Sequence, residues 1–379
     1  MTTYHQMGHG SVRLLSEDRL RGYAGAILSP VNYSEAQVQD QIANNERSEF
    51  ELILDPQLYY PGTNRGNVPS WSYFPSDVET ADLSSIAWWT SLVGDLASVA
   101  TQLHPDSICS PAAVPRVYSS GYYDLNRKIA DSLVRALDGE DIGVLQTLLA
   151  RLETLSQPNI AAEVASIASR CASNRVYLVL VSDISPRREF RGTEDLKGAM
   201  RLISYLEAAD MRVLVAYASS DVILWKSAGA SACATGKFFN LRRFTSSRWE
   251  PPLEGGGQVS YWIEESMMAF LRESDLIRVR HAGLLAPASL ANPYGTDILN
   301  SLDNSPGESW LALGWRQYMH WFCDFEKRLE GGTIVPDDTL ENAEQVWDGL
   351  EAANIFMEKR PNDGGWLRPW RRALAEALP

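Results

Sequence analysis

One rhythm runs through most of this sequence: a short apolar run, a polar loop, then a stretch with helical spacing. Repeating units of that kind build a parallel sheet, because parallel neighbours are joined through a crossover, usually a helix. The runs are almost wholly apolar rather than alternating, so the sheet must be covered on both faces. They fall at residues 23–30, 50–55, 107–111, 142–152, 175–181, 212–216 and 230–235, with an eighth expected at 276–279. The strongest is Arg-Val-Tyr-Leu-Val-Leu-Val at 175–181. The run at 142–152 suits a helix equally by periodicity. It is taken as a strand because Gln157-Pro158-Asn159 breaks the chain before a clear helix at 160–171.

Helices are expected between the strands. Ser34 and Gln37 have capping-box spacing, which places a helix start there. Thr193-Glu194-Asp195 offers an N-cap and first-turn acids, and both favour a helix N-terminus. Further helices are expected at 83–103, 123–137, 222–228, 261–272 and 296–302. Seven or eight such units over residues 20–305 favour a closed (β/α)8 TIM-type barrel, with an open doubly wound parallel sheet as the alternative. No GxGxxG or GxxxxGK[ST] follows any of the runs, which weakens the open nucleotide-binding form.

Residues 306–379 read differently. Tyr318, Trp321, Phe322, Phe325 and Leu329 fall on one helical stripe, and two more helices are expected at 337–357 and 366–378. Trp310, Trp315, Trp321, Trp347, Trp366 and Trp370 are six of the twelve tryptophans. The expectation is a helical extension packed on the barrel. The other reading is a Trp-lined surface through which a second copy or a protein partner docks.

Composition narrows the function. Apolar residues at 45% and charged residues at 22% exclude wholesale disorder. No apolar run approaches the length of a membrane-spanning helix. A formal charge of −14 argues against an extended duplex-DNA surface and leaves a local basic groove open. The N-terminal segment has no uninterrupted apolar core, and Cys109, Cys171, Cys233 and Cys323 form no CxxC pair. The expectation is therefore a cytoplasmic protein with reduced thiols. His5, His9, His104, His281 and His320 form no metal-binding pattern.

In such a barrel the active site lies where strands end and their following loops begin. Those positions supply Asp55, Asp183 and Asp221 as candidate catalytic carboxylates. They supply Asn32, Arg116, Lys237, Asn240, Arg242 and Arg243 as candidate substrate-binding groups. Carboxylates in a partly buried cleft can split their pKa values for acid–base work, and the cations suit an anionic substrate. Asp55 and Asp183 are expected to face one shared cleft. Gly236-Lys237 after the seventh run is expected to grip a phosphate, as backbone N–H groups and a cation do in many barrels.

Plainer roles stand beside these. Asp221 precedes a helix and could supply first-turn charge; Asp55 precedes Pro56 and could serve a turn. The basic loop could hold structure only, pairing with the acidic rim, Glu250 and Glu254 included. Cys109 and Cys233 read as buried packing, since no histidine lies at a neighbouring strand end to activate them. Tyr59, Tyr60, Trp71, Tyr73 and Phe74 crowd one long loop, either a lid over a flat ring or a self-packed loop. The expected function is hydrolysis or group transfer on a phosphate-bearing or nucleoside-like small molecule. No cofactor is identifiable; a variant has Asp55, Asp183 and Asp221 holding Mg2+. The alternative is a non-catalytic barrel that binds a partner through its C-terminal helices.

Overall fold

The computed structural model describes residues 2–11, 14, 17–45, 50–250, 258–359 and 362–377. Eight parallel strands close a barrel in chain order: β1 (Thr3–Gln6), β2 (Gly25–Leu28), β3 (Glu51–Leu54), β4 (Ser107–Cys109), β5 (Gly143–Arg151), β6 (Arg175–Val181), β7 (Arg212–Ala216) and β8 (Ala232–Thr235). Closure runs through β1, where Tyr4 pairs with Gly25 of β2 and Thr3 with Cys233 of β8. No sheet edge is left in the barrel, and the open-sheet alternative is excluded.

Strand alternation divides the apolar runs into two shells. On β6, Val176, Leu178 and Leu180 point outward into the shell shared with the helices. Tyr177, Val179 and Val181 point inward beside Ile27, Ile53, Leu145, Leu149 and Leu214. Each fully buried Leu, Val or Ile contributes roughly 1.5–3 kcal/mol relative to exposure, which is why these runs need no polar face. The floor of the interior is polar. Glu51 accepts from Tyr4 Oη at 2.6 Å and pairs with Arg175 at 2.8 Å.

The helices between the strands are α1 (Glu35–Ala43), α2 (Ile86–Leu103), α3 (Ser120–Ala136), α4 (Leu152–Leu155), α5 (Ile160–Ala168), α6 (Thr193–Ala208) and α7 (Val222–Ser227). Ser34 and Gln37 form the expected capping box at α1. Gly192, not Thr193, occupies the N-cap of α6.

Two expectations are corrected. The strand expected at 276–279 lies inside helix α8 (Glu273–His281), whose first turn carries Glu273 and Asp275 and whose last carries Arg278, Arg280 and His281. That charge order follows the helix dipole and outweighs the apolar run. The missing strand is β1, at the start of the chain, so the barrel strands run from Thr3 to Thr235 rather than within residues 20–305. The helix expected at 261–272 is instead an antiparallel hairpin of β9 (Trp262–Glu264) and β10 (Ala269–Leu271). Met268, at φ 49°, turns it. The glycine run 255–257 and Glu254 lie outside the described residues.

After α9 (Pro287–Ala291) and α10 (Pro293–Asn304) come α11 (Leu311–Glu330), α12 (Pro336–Ala352) and α13 (Leu367–Ala377). This extension packs on the barrel. Trp310, Trp321, Phe322, Phe325, Trp366 and Trp370 are buried. Tyr318 Oη bonds Thr235 Oγ1 at 2.6 Å, Tyr23 Oη donates to the Met319 carbonyl, and Trp370 Nε1 donates to the Phe190 carbonyl at 2.9 Å. Those tryptophans are core, so a docking surface cannot be built from them. Among the described residues no helix is long and apolar enough to cross a membrane.

Candidate functional site

The loop after β8 sets one wall of a cleft on the C-terminal face. A side chain at Gly236 would press on the Gln6 carbonyl and on Leu241 at about 2.6 Å, so only glycine lets the chain pass there. The next residue, Lys237, is 5% exposed. Its ammonium lies 4.6 Å from the Trp315 ring centre and 4.8 Å from that of Phe238. Cation–aromatic contacts of this kind hold a charge without neutralising it. Burial, with Arg316 adding, lowers the Lys237 pKa to about 8. Among the described residues no carboxylate forms an ion pair with it.

Arg242 braces the same loop from below. Its guanidinium donates to the carbonyls of Gly236 (3.0 Å) and Lys237 (2.8 Å) and stacks on Tyr318 at 3.4 Å. Burial pulls its pKa down to about 10, so it is charged at neutral pH. Asn240 completes the loop's contribution: its Oδ1 is buried and accepts no hydrogen bond among the described residues.

These three residues line a cavity of about 300 Å³ with Arg187, Tyr261 and Trp315. A second cavity, of about 280 Å³, adjoins it and is lined by Arg188, Glu189, Phe270, Arg272, Lys359 and Trp366 among others. Ser185, Arg187, Phe239 and Tyr261 belong to both. Glu189 is taken up by Arg243 at 2.9 Å and accepts from Ser220 Oγ at 3.0 Å. Arg187 and Arg188 form no ion pair among the described residues.

The expected carboxylates do not join this group. Asp183 is 71% exposed and pairs with Arg151 at 2.9 Å. Asp55 is buried inside the barrel, where Oδ2 accepts from Tyr59 (2.7 Å) and Tyr177 (3.4 Å) and Oδ1 from the Gln57 N–H (3.0 Å). The two therefore face different surroundings, and the shared cleft expected for them is not formed by either described cavity. Asp55 does serve the turn: the Gln57 bond closes an Asx-type loop, with Gln57 at φ 55°. Burial raises the Asp55 pKa to about 6, against the lowering effect of Tyr59.

Asp221 is also buried and raised to about 6 by burial, with Arg243 opposing. Its Oδ1 accepts from the Ser219 N–H at 2.7 Å, and its Oδ2 lies 3.3 Å from Arg243. Arg243 thus bridges Asp221 to Glu189 behind the cleft. It is a link between acids and does not line either cavity. Asn32 donates to Ser29 Oγ at 2.7 Å on the β2 loop, and Arg116 is exposed on the β4 loop. Neither lines the cleft.

The Mg2+ variant also meets a correction. Asp55, Asp183 and Asp221 each have separate partners, and no group of three metal-ligating side chains gathers among the described residues. Burial pushes the Cys109 and Cys233 thiols far up, consistent with packing. The aromatic loop packs partly on itself, with Trp71 against Tyr73 and Tyr73 Oη donating to the Pro56 carbonyl. It packs partly on its neighbours, with Trp71 Nε1 donating to the Tyr33 carbonyl and Tyr59 and Tyr60 against Trp249. The residues that sequence reasoning did not single out as site groups are Glu189, Phe239, Tyr261 and Trp315. Glu189 follows the Arg187-Arg188 pair, which was one usable signal. Nothing local marks the aromatics, which come from the β8 loop (Phe239), the residue before β9 (Tyr261) and α11 (Trp315).

No family model and no curated protein matches this chain. Solved structures similar to it include a type I 3-dehydroquinate dehydratase from Clostridium difficile, at 10% identity and TM-score 0.39, covering 65% of this chain and 88% of that one. A dihydrodipicolinate synthase from Bacillus anthracis gives 9% identity and TM-score 0.38, covering 100% and 98%. A GH18 chitinase from Pseudoalteromonas aurantia gives 11% and 0.39, covering 63% and 95%. The TIM-barrel fold of this chain rests on its own closed strand pairing.

Proposed function

We propose that this protein is a barrel enzyme acting on a phosphate-bearing or nucleoside-like small molecule, by hydrolysis or group transfer, in the cleft between the β6 and β8 loops. The observation that carries this reading is a set of cations, Lys237, Arg187 and Arg188, without carboxylate partners among the described residues. They line a recess walled by Phe239, Tyr261 and Trp315. In a chain of charge −14, leaving such cations unpaired around one cleft favours an anion. The aromatic walls suit a flat ring beside it.

Two carboxylates line the cleft, Glu189 and Asp275. Asp275 is held by Arg278 and the Glu358 N–H, and we assign Glu189 the proton-transfer role. Asp221 acts behind Glu189 through Arg243, as a positioning residue. Asp55 stays in the barrel interior, linked to the cleft through Arg248. The carboxyl of Asp55 feels the Arg248 charge, and Arg248 Nη1 donates to the Asn240 carbonyl at 3.1 Å.

A thermal-shift panel of phosphate-bearing small molecules tests the binding step. Compounds carrying both a phosphate and a ring should raise the melting temperature of the wild type and not of Lys237→Met, which keeps the packing and removes the charge. Turnover of the stabilising compound should fall by about 100-fold or more in Glu189→Gln, the scale of a lost general acid or base. A panel with no stabilising member contradicts the reading.

A further inference from the structure

The cleft is divided into two adjoining compartments. Two cavities of about 300 and 280 Å³ meet at a waist formed by Ser185, Arg187, Phe239 and Tyr261. Each lies at the lower end of the range for small-molecule sites. The Arg187 guanidinium stands 5.9 Å from the Phe239 ring centre and 6.0 Å from that of Tyr261. The two rings meet edge to face, 4.9 Å between centres, so the waist is aromatic and positively charged.

Each end has its own cations. At one end is Lys237, 95% shielded from solvent and without a carboxylate partner among the described residues. At the other are Arg188, Arg272 and Lys359. The acids lining that second end are already engaged from outside it. Glu189 is held by Arg243, and Asp275 is held by Arg278 at 2.9 Å and accepts the Glu358 N–H at 2.8 Å. Glu358 pairs with Arg272 at 2.8 Å, which leaves Arg188 as the cation at that end with no ion pair. The second end also holds an independent polar signal. Trp366 is 2% exposed, lines this cavity, and its Nε1–H has no acceptor among the described residues.

We infer that the ligand is two-ended: an elongated molecule with a flat middle at the Phe239–Tyr261 waist and an anionic group at each end, one facing Lys237 and the other facing Arg188 and Trp366. This rests on the anion reading above and narrows it. A one-ended phosphate would leave one set of cations unsatisfied. A second acidic group on the same molecule is held at high effective concentration once the first is bound.

The test compares matched ring compounds by calorimetric titration: phenyl phosphate against 1,4-phenylene bisphosphate, and 4-biphenylyl phosphate against biphenyl-4,4′-diyl bisphosphate. The two pairs sample two spans. At least one bisphosphate should bind about tenfold or more tightly than its monophosphate, the equivalent of about 1.4 kcal/mol. Arg188→Ala should erase that advantage, bringing each bisphosphate down to the affinity of its monophosphate. Lys237→Met should weaken both compounds. Arg116→Ala, which removes an exposed cation away from the cleft, should alter neither.

If both bisphosphates bind no better than their monophosphates, the two-ended inference falls while the anion site stands. An advantage that survives Arg188→Ala also overturns it. If none of the four compounds binds, both the inference and the proposed function fall together.

Discussion

In the proposed anion site Lys237 carries the largest weight of any single residue, and its burial makes that weight pH-dependent. With its pKa lowered to about 8, the ammonium loses its proton at a pH where an ordinary lysine keeps it. Anion affinity should therefore fall as pH rises through 8, above the second phosphate ionisation at about 6, with Lys237→Met showing no such step. Calorimetric titration across that range decides the matter. A flat profile for the wild type would remove Lys237 from the site. Asp55 titrates in the opposite sense for stability. Its pKa moves from 3.8 when free to about 6 when folded, so the folded state holds a proton that the unfolded chain releases. The stabilisation from that proton is full below about pH 4 and is lost as pH rises through 6. The whole shift is on the order of 3 kcal/mol at most. Asp55→Asn cannot titrate, so its stability relative to wild type should improve as pH rises from about 4 to 7. Denaturant unfolding at both ends of that window measures the change, and a constant difference contradicts the account. Asp221 titrates in the same range, but it is present in both proteins and cancels. The strand-end positions of Asp55 and Asp221 were legible in the sequence. Their partners were not, because Tyr177 and Arg243 come from distant strands and loops.

At the scale of elements, legibility followed burial. Runs covered on both faces, such as β6 and β7, advertise themselves because nearly every residue is apolar. β5, with Gln146 and Thr147 buried in it, was ambiguous with a helix. β1 reads Thr-Tyr-His-Gln and has no such signature. Its even positions face the polar floor and mouth, where Tyr4 meets Glu51 and Gln6 accepts from Tyr177 at 3.1 Å. What makes it a strand is the presence of β2 and β8 on either side, a long-range fact. The hairpin β9–β10 was misread for a related reason: its aromatic and apolar residues suit a helix face equally well, and the left-handed turn at Met268 is unusual for that residue. The β8 loop gives the sharpest test at this scale. Gly236→Ala would push a methyl group into the Gln6 carbonyl and Leu241. Overpacking of this kind costs about 1–3 kcal/mol. Because Lys237 follows directly, anion affinity should fall along with stability. A variant with unchanged unfolding midpoint and unchanged affinity would show that the loop does not depend on this close approach.

Across the whole molecule, the barrel and its C-terminal helices form one functional surface. α11 supplies Trp315 against Lys237 and Tyr318 against Arg242, and residues near α13 supply Lys359, Asn362 and Trp366 to the far end of the cleft. The extension thus walls the site that the barrel loops open. The sequence showed a Trp-rich helical segment and a basic loop as separate features. Only the fold brings them together. The central claim is that this cleft, and not the barrel interior around Asp55, receives the anionic ligand. A crystal structure with a bound phosphate-bearing ring compound tests it most directly. The account predicts a phosphate oxygen within hydrogen-bonding distance of Lys237 Nζ, with the ring against Phe239 and Tyr261. A ligand found beside Asp55, Tyr59 and Tyr177 inside the barrel, with the cleft empty, would contradict it.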